Sequence, residues 1–322
     1  MEPTPQIPTL RLADDAAMPA LGLGTWKSAP GEVGAAVRHA VEVGYRHIDC
    51  AAIYGNEREI GQAIADCLRA GTVAREQLWI TSKLWNDAHA PEHVRPALER
   101  TLADLQLERL DLYLMHWPVA LAPGVGMPRR PEDILPPETM PLERTWEAMA
   151  KLIDAGLTRH IGVSNFSRQK LARLQAGLPQ PAMNQIELHP YLQQRQLVTQ
   201  CQAQGIQVTA YSPLGSADRP AGMKGQDEPI LLADPTIGEI ARQHEASPAQ
   251  VLIAWALARG TAVIPKSTNP QRIEQNLAAA GLALTPEDLQ RIESLDRHRR
   301  YVEGDMWTPP GSPYTAASLW DE

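Results

Sequence analysis

The feature that most constrains the fold is a regular alternation of short apolar runs with helix-like stretches along the 322-residue chain. Each apolar run is typical of a buried strand, and the stretches between them carry apolar residues at helical spacing. Eight strands are predicted, at 21–26, 47–51, 78–83, 111–116, 160–165, 183–187, 207–212 and 262–267. The helices predicted between them include 33–43, 91–105, 142–155 and 248–258. Eight such units favour an α/β fold of the closed (β/α)8 type, the TIM barrel, over an open sheet.

Four segments fall outside this alternation. Residues 9–20 predict an N-terminal β-hairpin with its turn at Asp14 and Asp15. The stretches 118–141 and 213–235 are long and rich in proline and glycine, which predicts functional loops at the C-terminal face of the barrel. The tail, about 297–322, lacks helical periodicity and is predicted to lie over the active site. We therefore predict a single domain spanning 1–322.

Charge and cysteine content exclude several classes of protein. The chain has 38 acidic and 30 basic residues, a net charge of -8 and no long run of like charge, which argues against a nucleic-acid or membrane surface. Its apolar runs are too short for a membrane span, and its first residues lack the pattern of a signal peptide. Cys50, Cys67 and Cys201 are too scattered for a disulfide framework. These observations predict a cytoplasmic protein.

Side chains capable of proton chemistry follow three successive predicted strands. Asp49 and Tyr54 follow the second strand, Lys83 ends the third and His116 ends the fourth. In a parallel barrel these ends meet on one face. There the Lys83 ammonium is expected to lower the Tyr54 pKa from its ordinary value of ~10, with Asp49 holding Lys83 and His116 contacting the substrate oxygen. Each residue alone is better explained as an ordinary polar group of the barrel rim, but the combination of all four favours catalysis.

Two motifs are better explained without a ligand. Gly22 and Gly24 begin a dinucleotide fingerprint, but its third glycine would fall at Lys27. His89 and His93 match an H-x-x-E-H zinc pattern. Pro91 is expected to begin a helix and leave His89 outside it, so no metal site is predicted.

Two further groups of residues suit a ligand. The end of the last strand and the start of the following helix carry four possible donors for a phosphate, Lys266, Ser267, Thr268 and Arg272. The alternative is an ordinary solvated helix start. Trp26, Trp85 and Trp117 stand at or just beyond strand ends. These tryptophans suit core packing, and equally an aromatic substrate pocket around the polar residues.

Several long motifs occur in a fixed order along the chain. They lie at 44–51, 54–57, 82–86, 112–118, 161–166, 184–187, 210–215 and 264–267. On these motifs the chain resembles the aldo-keto reductase family from about Leu10 to Leu295, most closely its aldehyde reductase and aldose reductase branch.

The resemblance implies a (β/α)8 barrel that binds an extended nicotinamide cofactor, NADPH/NADP+, with the hairpin closing the bottom of the barrel. It implies NADPH-dependent reduction of aldehydes and some ketones to alcohols by a monomer, with a small-molecule carbonyl compound as substrate and no nucleic-acid or membrane partner. The catalytic tetrad of the family falls on Asp49, Tyr54, Lys83 and His116. The implied substrate pocket adds Ile53 to Trp26, Trp85, His116 and Trp117.

The implied cofactor site runs along the whole chain. Nicotinamide contacts fall on Ser164, Asn165 and Gln185, with the ring stacked on Tyr211 and with Thr25, Trp26 and Asp49 nearby. The loop from Ser212 to Ser216, including Leu214, would hold the pyrophosphate. The 2′-phosphate and adenine contacts fall on Lys266, Ser267, Thr268, Arg272, Gln275 and Asn276. From Arg297 onward the tail departs from that of the mammalian reductases, which leaves the substrate open.

Three rival classes remain at this point. A barrel of this family can serve as a cofactor-binding regulatory module or as a structural protein, and the intact tetrad disfavours both. A metal-dependent hydrolase would require activity that chelators abolish.

Overall fold

Eight parallel strands curl into one barrel, with helices around its outside. The computed structural model describes residues 6–174, 177–225 and 227–321. Residues 1–5, on which the signal-peptide prediction depends, lie outside the described part, as do 226 in the second long loop and 322 in the tail.

The bounds of the elements follow the predicted alternation closely. The strands are β1 (Thr9–Arg11), β2 (Ala17–Pro19), β3 (Leu23–Gly24), β4 (His47–Asp49), β5 (Trp79–Leu84), β6 (Leu110–Met115), β7 (Ala120–Leu121), β8 (Ile134–Leu135), β9 (Thr158–Ser164), β10 (Met183–Glu187), β11 (Gln207–Tyr211) and β12 (Ala262–Val263). The helices are α1 (Val33–Val43), α2 (Glu57–Arg69), α3 (Pro91–Leu105), α4 (Leu142–Asp154), α5 (Arg168–Arg173), α6 (Arg195–Ala203), α7 (Pro235–Gln243), α8 (Pro248–Ala258), α9 (Pro270–Ala278), α10 (Pro286–Glu293) and α11 (Ala316–Trp320).

The barrel strands pair in the order β12-β11-β10-β9-β6-β5-β4-β3. The two end strands of this order meet through parallel bridges from Leu21 to Val263 and from Gly24 to Lys266, which close the barrel. The eight predicted strands and the (β/α)8 fold are confirmed. The first and last barrel strands, β3 and β12, are both much shorter than predicted. In β12 regular pairing stops before Pro265, because proline has no backbone N–H to donate.

The N-terminal hairpin is confirmed and covers the amino ends of the barrel strands. Strand β1 pairs with β2 in antiparallel register, with Leu10 opposite Met18. Met18 is fully buried, and it packs in one apolar cluster with Trp79, Met183 and Ala262, which stand at the starts of β5, β10 and β12. Burying this cluster keeps water out of the bottom of the barrel and leaves the opposite face for the site.

The long loops and the tail carry short elements that periodicity did not predict. Loop 118–141 contains the β7–β8 pair, and loop 213–235 contains two 3-10 turns. The prediction of an irregular tail is corrected, since 305–307 form a 3-10 turn and α11 follows. Helix α11 has five residues, too few to show a period. Its stability comes from the Thr315 cap and from burial of Leu319.

Among the described residues, no helix combines the length and the apolar character needed to cross a membrane.

Candidate active site

One cavity of about 860 Å³ opens at the C-terminal ends of the barrel strands. Every residue that the sequence singled out for catalysis, cofactor or substrate lines this cavity, except Lys83. The lining set is Thr25, Trp26, Asp49, Ile53, Tyr54, Trp85, His116, Trp117, Ser164, Asn165, Gln185, Tyr211, Ser212, Leu214, Ser216, Lys266, Ser267, Thr268, Arg272, Gln275 and Asn276. Lys83 is completely buried beneath the cavity.

A buried ion pair forms the base of the cavity. Lys83 Nζ donates to Asp49 Oδ1 at 2.5 Å and to the Cys50 carbonyl oxygen at 2.9 Å. Lys83 Nζ also lies 5.4 Å from the centre of the Tyr54 ring. Burial, the largest single influence, lowers the pKa of Lys83, but Asp49 together with Tyr54 and Cys50 outweighs it and the pKa is raised. Lys83 is therefore a permanent positive charge beside the Tyr54 hydroxyl.

The protonation states of Tyr54 and His116 follow from their enclosure. Burial of the Tyr54 hydroxyl raises its pKa to about 12, although the Lys83 ammonium acts in the opposite direction. The expected net lowering of the Tyr54 pKa is therefore wrong in this structure, because desolvation of the phenolate exceeds its attraction to Lys83. Burial, and then the charge of Lys83, hold the pKa of His116 well below 6.5. Near pH 7 both side chains are neutral and able to donate a hydrogen bond.

A hydrogen-bonded network joins the proposed nicotinamide contacts to this base. Gln185 Nε2 donates to Asp49 Oδ2 at 2.7 Å, and Ser164 Oγ donates to the Gln185 carbonyl oxygen at 2.8 Å. Asn165 Nδ2 donates to the His116 carbonyl oxygen at 3.0 Å, and Tyr211 Oη donates to Asn165 Oδ1 at 2.7 Å. The side chains from β9, β10 and β11 are thus fixed relative to the catalytic candidates from β4 and β6.

The far end of the cavity is positively charged and lies at the start of α9. Asn269 caps this helix, and its Oδ1 accepts from the Arg272 backbone N–H at 3.0 Å. The Arg272 side chain is exposed and forms no ion pair with another described residue. Lys266 is half-buried, and its Nζ lies 3.7 Å from Asp218 Oδ2. Two cations beside a helix N-terminus fit an anion such as a phosphate.

The cavity lining includes an ion pair that sequence reasoning missed. Lys27 Nζ, from the segment after β3, donates to Asp218 Oδ1 at 2.6 Å and to Ser216 Oγ at 2.9 Å. Asp218 lies in loop 213–235 and also faces Lys266. Lys27 and Asp218 both line the cavity, so the pair links the segment after β3 to loop 213–235. The long loop was the available signal, but nothing in the sequence showed which cation meets Asp218.

Left-handed backbone conformations cluster around the same groove. Lys27, Asn165, Ser212 and Ser216 have φ values of 61°, 63°, 49° and 48°. Non-glycine residues in this region each cost roughly 1–3 kcal/mol and concentrate at functional sites. The barrel and its hydrogen bonds hold these residues in place.

An aromatic wall stands beside the base of the cavity. The Trp85 ring lies 5.1 Å from His116, and Trp26 stacks at 6.4 Å from Tyr54. Behind this wall the tail residue Trp307, fully buried, packs 5.8 Å from Trp85 and 5.6 Å from Trp117. The tail residues Val302 and Met306 also line the cavity. The sequence predicted that the tail lies over the site, but it singled out neither Val302 nor Trp307.

The two histidines of the zinc-like pattern do not lie on one helix. Helix α3 begins at Pro91 and leaves His89 outside it. In the parts of the chain that the structure describes, no group of three or more His, Cys, Asp or Glu side chains could hold a metal ion.

Comparison with known proteins identifies the family. Residues 20–297 match the model of the Aldo/keto reductase family. The chain is 58% identical over 313 residues to Aldo/keto reductase slr0942 of Synechocystis sp., covering 97% of this chain and 95% of that protein. It is 49% identical over 288 residues to human Aldo-keto reductase family 1 member A1, and 47% identical to the rat protein, covering 88% of each chain in both cases. The family predicted from the sequence is confirmed: the chain belongs to the aldo/keto reductases, which are oxidoreductases that act on carbonyl groups.

Proposed function

We propose that the protein reduces aldehydes and some ketones to alcohols with NADPH, and that Tyr54 donates the proton. One observation carries the proposal. The Tyr54 hydroxyl, neutral His116 and the Lys83–Asp49 pair meet at the base of a cavity whose far end carries Lys266 and Arg272. A proton donor at one end and a phosphate site at the other suit a carbonyl substrate beside a phosphorylated cofactor.

The lining of the groove fits an extended nicotinamide dinucleotide. Ser164, Asn165, Gln185 and the Tyr211 ring would hold the nicotinamide, near Thr25 and Trp26. Ser212, Leu214 and Ser216 would hold the pyrophosphate, with the Lys27–Asp218 pair beside it. Lys266, Ser267, Thr268 and Arg272 would bind the 2′-phosphate, and Gln275 and Asn276 the adenine. When bound, the cofactor supplies the hydride.

The residues of the chain supply the proton and stabilise charge. The Tyr54 hydroxyl keeps its proton at neutral pH, since its pKa is about 12, and gives it to the substrate oxygen as negative charge develops there. His116 orients that oxygen by donating a hydrogen bond. The phenolate left on Tyr54 would be stabilised by the buried Lys83 ammonium, which Asp49 holds in place.

The aromatic wall suits an apolar substituent on the carbonyl carbon. Ile53, Trp85 and Trp117 line the cavity near His116, and the tail contributes Val302 and Met306. Rigid aromatic surfaces bind apolar groups at a low cost in conformational entropy. We therefore propose aromatic and other apolar aldehydes as the substrate class.

We also propose a monomeric, cytoplasmic enzyme. Cys50, Cys67 and Cys201 are free and buried, which suits a reducing compartment. The monomeric state is what the resemblance to the aldehyde reductase branch implies.

Loss of NADPH absorbance in the presence of 4-nitrobenzaldehyde tests the proposal. We expect the purified protein to catalyse this reaction. Tyr54→Phe should bind NADPH normally while kcat falls by at least about 10²-fold, the usual loss for a general acid. Near wild-type turnover in Tyr54→Phe would show that another group donates the proton. Activity abolished by a chelator would favour a metal-dependent mechanism instead.

A further inference from the structure

A buried arginine organises loop 213–235, which we call the cofactor loop. The Arg219 side chain is 1% exposed and forms an ion pair with Glu228. Its Nε donates to the Met223 carbonyl oxygen at 2.9 Å, and its Nη1 donates to the Ser216 carbonyl oxygen at 3.2 Å. Ser216 and Met223 both line the cavity. The position of Arg219 is therefore tied to the conformation of the loop segments that face the cofactor groove.

The same arginine contacts the start of the tail. Its guanidinium carbon lies 5.0 Å from the centre of the Tyr301 ring. Tyr301 Oη donates to the carbonyl oxygen of Pro229, at the far side of the cofactor loop, at 2.7 Å. Arg299 Nη2 donates to Glu228 Oε1, also at 2.7 Å. Three separate contacts thus join the cofactor loop to tail residues 299–301.

The barrel fixes the other side of Tyr301. The backbone N–H groups of Tyr301 and Val302 donate to the two carboxylate oxygens of Glu187, at 2.7 Å and 2.8 Å. Glu187 is 1% exposed and ends β10, two residues after Gln185. Burial opposes ionisation of Glu187, but hydrogen bonds to its carboxylate, with His189 foremost, hold its pKa below the ordinary value. Val302, next in the chain, lines the substrate side of the cavity.

We propose that Arg219 and Tyr301 are positioning residues that couple the conformation of the cofactor loop to the shape of the substrate pocket. Neither side chain lines the cavity among the described residues, so each acts through its neighbours, Ser216 on one side and Val302 on the other. A cofactor that binds the loop in this arrangement also stabilises the stack of Arg219 on Tyr301, and with it the position of Val302. Because such coupling is reciprocal, a ligand in the substrate pocket tightens cofactor binding by the same factor.

The inference rests on the proposed NADPH site, and one experiment separates the two. Quenching of tryptophan fluorescence measures the Kd of NADPH with and without saturating 4-nitrobenzyl alcohol, which does not react with NADPH. The ratio of the two values is the coupling factor. A wild-type protein that neither binds NADPH nor reduces 4-nitrobenzaldehyde would refute the proposed function, whatever the variants show.

The informative variants are Tyr301→Phe and Arg219→Lys. Tyr301→Phe removes only the hydrogen bond to Pro229. Arg219→Lys keeps the positive charge but loses the planar set of guanidinium N–H donors. We expect each to lower the coupling factor by about threefold to tenfold, the usual effect of one hydrogen bond. The KM for 4-nitrobenzaldehyde should rise while kcat stays near the wild-type value, since the catalytic groups are untouched.

Tyr45→Phe is the matched control. Tyr45 is fully buried, and its hydroxyl donates to the Ile273 carbonyl oxygen at 3.1 Å, away from the tail. This control should leave the coupling factor unchanged. The inference would be overturned if Tyr301→Phe kept the same coupling factor as the wild type. It would also be overturned if Tyr45→Phe lowered the coupling factor as much as Tyr301→Phe. Tyr301→Phe decides the matter if Arg219→Lys does not fold.

Discussion

Asp49→Asn tests the buried ion pair at the base of the site. The substitution keeps the size of the side chain but removes the negative charge that Lys83 Nζ contacts at 2.5 Å. The two side chains are 0% and 2% exposed, so water cannot replace the lost partner. An uncompensated buried charge costs about 3–5 kcal/mol, and we expect this loss in the free energy of unfolding at pH 7.

The loss should depend on pH in a direction that the burial of Lys83 determines. In the wild-type protein the pKa of Lys83 is raised, so the lysine is charged in both the folded and unfolded states between pH 7 and 9. In Asp49→Asn the charge of Asp49 is lost, and desolvation, the largest single influence on Lys83, is expected to lower the folded pKa below the unfolded value of about 10.4. The unfolded state then binds more protons, and the stability of the variant rises with pH.

The size of this pH effect follows from linkage of one proton. Stability changes by at most about 1.4 kcal/mol per pH unit, so up to about 2.7 kcal/mol should return between pH 7 and 9. Urea unfolding curves recorded by tryptophan fluorescence at pH 7, 8 and 9 measure this change in stability for the variant and the wild type. The double variant Asp49→Asn/Lys83→Met is the control and should show no such pH dependence. If Asp49→Asn lost no unfolding free energy, or lost an amount that did not change with pH, Lys83 would not be a buried charge that depends on Asp49.

Three further predictions concern other parts of the molecule. Arg272→Ala should weaken NADPH binding about ten- to a hundredfold and make it less sensitive to salt, while NADH binding, measured in parallel, stays unchanged. Equal losses of affinity for NADPH and NADH would mean that Arg272 does not contact the 2′-phosphate. Because its ring is fully buried behind the aromatic wall, Trp307→Ala should lower the free energy of unfolding in urea by about 3–5 kcal/mol and change the ranking of kcat/KM among bulky aldehydes more than the affinity for NADPH. An unchanged ranking would contradict a role of Trp307 in the pocket. Gly61→Ala should destabilise by about 1–3 kcal/mol or more because its Cβ would overlap the Asp104 backbone oxygen where α2 crosses α3, whereas Gly222→Ala, with open space around its Cβ, should be close to neutral.

Local patterns were sufficient for the barrel and for most of the candidate site. Buried strands in a parallel sheet are apolar along their length, so the eight strands stand out from the amphipathic helices around them. The carboxyl ends of the strands meet on one face in any such barrel, which is why Asp49, Tyr54 and His116 could be grouped before their distances were known. The family resemblance added the cofactor residues, which now line one cavity.

The protonation state of Tyr54 could not be obtained from the identity of its neighbours. The sequence placed a lysine near the tyrosine, and a charge alone predicts a lowered pKa. Only the structure shows how completely the hydroxyl is enclosed, and this burial raises the pKa to about 12. Desolvation depends on everything packed around a group, which no local pattern contains.

The sequence by itself determined the fold, the family and the groups available for chemistry, because strand, helix and motif patterns are local properties of the chain. The tertiary structure alone decided which distant residues meet. Lys27 and Asp218 are 191 residues apart and pair in the cavity lining, and Tyr301 N–H reaches Glu187 over 114 residues. The tail likewise places Trp307 behind Trp85. Contacts of this kind depend on loop geometry and on the packing of irregular segments, neither of which has a period that the sequence could display.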